Sequence, residues 1–124
     1  MARTAITIKS KQRLNNSTAL DLLKSGLTAG DPANDHNWLL QSGDELYAVN
    51  THATLDRTIQ IQQTPNRIGR PVTAGAAAAQ HVLAAGEAVH FGPFYADGWT
   101  QADGSVYVDL IDGSAGDVKL AVLR

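Results

Sequence analysis

From Glu45 to Leu123 the apolar residues of this chain recur at alternate positions, and that period of two constrains its fold more than any other feature. A strand turns successive side chains to opposite faces, whereas a helix needs apolar residues three and four apart. "ELYAVN" sets Tyr47 and Val49 on one face, and "TIQIQQ" sets Ile59 and Ile61 against Thr58, Gln60 and Gln62. "SVYVDLI" places Val106, Val108 and Leu110 opposite Tyr107 and Asp109, and "DVKLAVL" places Val118, Leu120 and Val122 opposite Lys119 and Ala121. The "DGSAG" between these last two runs predicts a terminal hairpin. "TAITI" and "AQHVLAAGEAVHFG" add at least two more strands, the second segment turning at Ala85-Gly86. In "LAAGEAVHFGPF" the strand begun at Glu87 is expected to stop at Gly92-Pro93, because proline donates no backbone hydrogen bond. Phe91 and Phe94, with Val106, Val108 and Leu120, are the predicted core anchors.

About seven short strands parted by turn signals predict an all-β chain, a small antiparallel β-sandwich or barrel-like domain. A length of 124 residues allows one core and not two. Without cysteine, packing or partners must hold that core together. One stretch departs from the pattern: "NSTALDLLKSG" has Ser17 or Thr18 as an N-cap, Leu20, Leu22 and Leu23 close together and Gly26 as a stop, which predicts a short helix near residues 17–25. The run Ala76–Ala79 reads as loop or edge strand. No apolar run reaches the length of a membrane helix or a secretory signal, so a soluble, unprocessed chain with no membrane partner is expected.

Charge divides the chain in two. Residues 1–13 carry Arg3, Lys9, Lys11 and Arg13 with no acid, while residues 14–124 hold six basic against twelve acidic side chains. The domain reading is therefore a basic N-terminal arm or first strand over 1–13 and a single β-sandwich over 14–124. The four basic residues are the candidate docking groups, and a solvated terminal strand accounts for them equally well.

Chemistry-bearing motifs are missing. There is no nucleophile elbow, phosphate loop, paired-histidine zinc motif or paired cysteine. His36, His52, His81 and His90 lack metal-ligand spacing. Asp31, Asn34 and Asp35 read as turn formers, as do Asp97-Gly98, Asp103-Gly104 and Asp112-Gly113. Catalytic residues, metal and cofactor are all expected to be none. Trp38, Trp99, Tyr47, Tyr95 and Tyr107 offer aromatic surface with no interleaved basic residues, which disfavours nucleic acid.

The order of the pieces carries more than any one of them. Leu46–Asn50, Thr58–Gln63, Ala84–Glu87, Gly92–Tyr95, Gly104–Val108 and Val118–Leu123 follow one another as a strand ending in Asn, a Thr-led strand, a turn, a "GPF" element with an aromatic after it, a "GxVxV" strand and a closing strand. Over residues 38–124 this series resembles small virion proteins encoded among the head genes of tailed bacteriophages. It departs from them in "ADGWTQADG" and in the alanine-rich insert near Gly75. The resemblance implies a structural virion protein of the capsid exterior, a head decoration or cement protein without an active site. Its partners would be the major capsid protein and further copies of itself, a trimer being the expected form. The alternatives are a tail, neck or baseplate component, and a carbohydrate-binding module using Trp38, Trp99 or Tyr95.

Overall fold

In the computed structural model, which describes residues 2–9, 26–64, 80–111 and 116–124, every regular element is a β-strand. The strands are β1 (Thr4–Ala5), β2 (Ile8–Lys9), β3 (Thr28–Ala29), β4 (His36–Leu39), β5 (Asp44–Asn50), β6 (Arg57–Ile61), β7 (Gln80–Leu83), β8 (Ala88–Phe94), β9 (Ser105–Leu110) and β10 (Val118–Leu123). They form two sheets, ordered β1-β4-β9-β6-β7 and β2-β10-β5-β8, with β3 also paired to β10. The chain is thus all-β and sandwich-like. The segments at 17–25 and Ala76–Ala79, and Lys11, Arg13 and Asp112-Gly113, lie outside the described residues.

The sandwich is mixed where an antiparallel one was expected, since β1 pairs with β4 and β2 with β10 in parallel. The cause is a single extended segment that crosses between the sheets. Thr4–Ala5 completes the edge of the first, Ile6 drops into the core at 4% exposure, and Ile8–Lys9 completes the edge of the second. "TAITI" is a strand that serves two sheets.

The expected terminal hairpin is absent. β9 lies between β4 and β6 in the first sheet, whereas β10 lies beside β5 in the second. Both edges of each strand are taken, because β2 and β3 share the side of β10 away from β5. Val106, Val108 and Leu110 meet Val118, Leu120 and Val122 within one core. Two alternating strands joined by a glycine-rich link have the same sequence pattern whether they pair edge to edge or face each other. β7 and β8 behave likewise, belonging to different sheets, with the Ala85-Gly86 turn between them.

Two further readings are corrected. In β5 the buried face is Asp44, Leu46, Ala48 and Asn50, and Tyr47 and Val49 lie on the outer, half-buried face. Polar residues at both ends of the inner row disguised it. Nor does β8 end before Pro93; it runs through a cis Gly92–Pro93 bond to Phe94. As the edge strand of its sheet it pairs, among the described residues, only with β5, and the register shifts between Asp44 and Leu46, the setting in which a strand tolerates proline. Gly92 sits at φ +111°, and a Cβ there would lie 3.0 Å from the Phe94 ring and 3.1 Å from the Asp44 carbonyl oxygen. The backbone is drawn in so tightly that only glycine fits.

Of the predicted anchors, Phe94, Val106, Val108 and Leu120 are buried, and Phe91 is half-buried against the core margin. Phe94 packs edge-on to Trp38 and Trp99, with ring centroids 5.6 and 5.1 Å away. Asp31–Asp35, Asp97-Gly98 and Asp103-Gly104 form turns as expected.

Candidate functional site

β7 and β8 end their respective sheets side by side, so that flank of the sandwich carries two strand edges with no pairing partner among the described residues. Asn50 fastens its far end. The buried Asn50 amide donates to the carbonyls of Leu55 (2.8 Å) and Leu83 (3.0 Å), tying β5 of one sheet to the end of β7 in the other. Toward the other end the β5–β8 register shifts, and the last residue of β8, Phe94, is buried in the core.

A cleft of about 320 Å³ opens there, lined by Ile61, Gln80, His81, Phe91, Pro93 and Trp99 among others. Its walls are mainly apolar rings. The polar groups are few: Gln80 Nε2 donates to Gln60 Oε1 at 2.9 Å, and His81 Nε2 lies 3.3 Å from Glu87 Oε1 while its ring stands edge-on to Phe91. Such a site offers van der Waals and ring contact with a small number of orienting hydrogen bonds. It suits a protruding side chain or another flat group. Among the described residues, no group of three His, Cys, Asp or Glu could hold a metal ion.

The aromatic residues considered for a sugar platform separate. Trp38 is 2% exposed in the core, so it is withdrawn from that role. Trp99 is half-buried on the cleft, and Tyr95 is exposed just beyond the end of β8. Gln80, His81 and Phe91 had not been grouped from the sequence. Their meeting depends on which sheet each strand joins, and local alternation carries no such signal.

The basic residues also separate. Arg3 Nη1 donates to Asp109 Oδ1 at 2.6 Å and to the His36 carbonyl at 3.2 Å, and its guanidinium lies 4.1 Å over the Tyr107 ring. Gln62 Nε2 donates to the second Asp109 oxygen at 2.7 Å. Arg3 braces the outer face of the first sheet, while Lys9 stands in β2 of the second, its carbonyl accepting the Arg124 N–H. Within residues 2–9, Thr4–Ala5 pairs with the first sheet and Ile8–Lys9 with the second.

Two buried ionisable groups fix the remaining corners. Burial works to raise the Asp44 carboxyl, but hydrogen bonds from Arg124, the Gln41 N–H and the Trp38 indole, with the charge of Arg124, hold it below the ordinary value. For His36 burial dominates and lowers its proton affinity, against a bond to the Thr4 carbonyl that favours the cation. Neither group lines the cleft.

No protein-family model matches this chain, and neither a curated protein nor a solved structure matches it.

Proposed function

We propose that this chain is a structural virion protein that binds the outside of a tailed-bacteriophage capsid as a decoration or cement protein. The observation that carries the reading is the ordered series of strands and turns that resembles the small head-gene proteins. In the fold each of those pieces is a working element. Leu46–Asn50 and Val118–Leu123 are the paired centre of the second sheet, Thr58–Gln63 holds most of β6, and Gly104–Val108 leads into β9. Ala84–Glu87 is the turn between the two edge strands, and Gly92–Tyr95 is the inturned end of β8 beside the cleft.

The flank formed by β7 and β8 supports a contact role. Its edges can accept a neighbour's backbone, Val82 is 54% exposed on β7, and the cleft can take a neighbour's side chain. The function is adhesive. Each copy adds a modest binding free energy to the assembled shell, and many copies together bias it toward the intact state. The chain acts in this reading as a homo-oligomer, a trimer.

Co-sedimentation tests it. The purified chain is mixed with empty shells of the major capsid protein from the same genome, beside a His81→Glu variant that sets a charge in the half-exposed cleft. Binding of the native chain is expected, with affinity reduced about tenfold or more in a variant that keeps the all-β circular dichroism spectrum of the native chain. Absence of binding by the native chain contradicts the decoration role. Tryptophan quenching by a simple sugar instead would favour the carbohydrate-binding alternative through Trp99.

A further inference from the structure

We infer that His36 makes the corner where β1, β4 and the Asp31–Asp35 turn meet into an acid-sensitive clasp, closed while its imidazole is neutral and opened by one proton on Nε2. The side chain is fully buried at the start of β4. Its Nδ1 lies 3.2 Å from the Thr4 carbonyl oxygen, which can only accept, so Nδ1 carries the hydrogen. Its Nε2 lies 2.9 Å from the Asp31 backbone nitrogen, which can only donate, so Nε2 is bare. A second proton would set two donors against each other at that distance in a buried corner. One of them must move, and the half-buried turn is the less confined of the two, since the His36 ring is fully buried.

The turn does not move alone. Asp35 accepts the Thr4 N–H at 2.9 Å through its carbonyl and the Leu110 N–H at 2.9 Å through its carboxylate. Asp31 accepts the Thr4 hydroxyl at 2.6 Å. Displacing the turn therefore loosens β1 from the edge of β4 and frees the last amide of β9. The charged groups facing the ring divide in sign: Asp31 and Asp35 on the turn favour the cation, and Arg3 beside β1 opposes it while paired with Asp109 of β9. Burial outweighs them and sets His36 below the ordinary histidine value. The sign follows. The closed clasp has its full stability above about pH 6.5 and loses it as pH falls toward the value of the folded state. Once open, the Asp31 carboxylate is a ready partner for the imidazolium.

An NMR titration of the intact chain from pH 8 to pH 5 tests this, with amide exchange corrected for its intrinsic pH dependence. The His36 ring should titrate below about 6.5, and exchange at Thr4, Asp31 and Leu110 should rise across the same interval, by about tenfold for each unit that the pH falls below 6.5 until His36 is protonated. Amides at the centre of the β5–β10 pairing should not change. His36→Gln keeps one donor and one acceptor without a titrating group, so its exchange at those three amides should stay flat. A His36 ring titrating near 6.5 with those amides unmoved would overturn the inference, as would equal loss of protection across β5 and β10. An acid response retained in a folded His36→Gln would do the same. If that variant does not fold, the native titration decides alone.

Discussion

At the scale of single residues, Phe94 and Asp44 hold the core through different forces. Phe94 closes the core between two tryptophans, and truncation to alanine should cost about 3–5 kcal/mol in urea denaturation. A loss under about 1 kcal/mol would mean that the ring is not packed as described. Asp44 works through charge as well as contact, since its carboxylate gathers the Trp38 indole, the Gln41 N–H and two nitrogens of Arg124. Its proton affinity falls on folding, so it contributes stability above its unfolded value, near pH 3.9, that is lost as pH drops through the folded one. Asp44→Asn should destabilise the domain by about 1–3 kcal/mol at pH 7 and flatten the acid limb of the stability curve below pH 4. An unchanged acid limb would show that the carboxylate is not so held. Phe94 was legible as a core anchor from its large apolar ring at the end of an alternating strand. Asp44 was not: a carboxylate on the buried face becomes intelligible only once Arg124, distant in sequence, is seen beside it.

At the scale of elements, most of the longer strands could be read, β3 and β4 beside the Asp- and Asn-rich turn could not, and neither could the strands' partners. Alternation located Ile59 and Ile61, Val106 and Val108, and Leu120 and Val122 on the core side, because at each of those pairs successive inward positions are both apolar. It chose the other face of β5, where Asp44 and Asn50 interrupt the inner row. It also joined β9 to β10, since a strand's period says which side is buried and nothing of which sheet it joins. The N-terminal segment shows the same limit. Its charges suggested an arm, yet Ile6 and the two short parallel pairings make it part of the sandwich. Deleting residues 1–9 should therefore lower stability by at least the roughly 1.5–3 kcal/mol of burying Ile6, seen as a lower midpoint of thermal unfolding. An unchanged midpoint would return the segment to the role of a dispensable docking arm.

At the scale of the whole molecule, the proposed function depends on one flank of the sandwich. The cleft is built from β6, β7, the end of β8 and Trp99, pieces far apart in the chain, so the sequence showed its aromatic residues without their meeting. What it did carry was the order of strands and turns on which the virion reading depends. The proposed decoration role is defined by location, and location is what should be measured. Cryo-electron microscopy of the parent particle should show density for this all-β domain on the outer surface of the head, repeated at the shell's local symmetry axes and touching the major capsid protein. Density for it confined to the tail, neck or baseplate, or its absence from the purified particle, would contradict the decoration role.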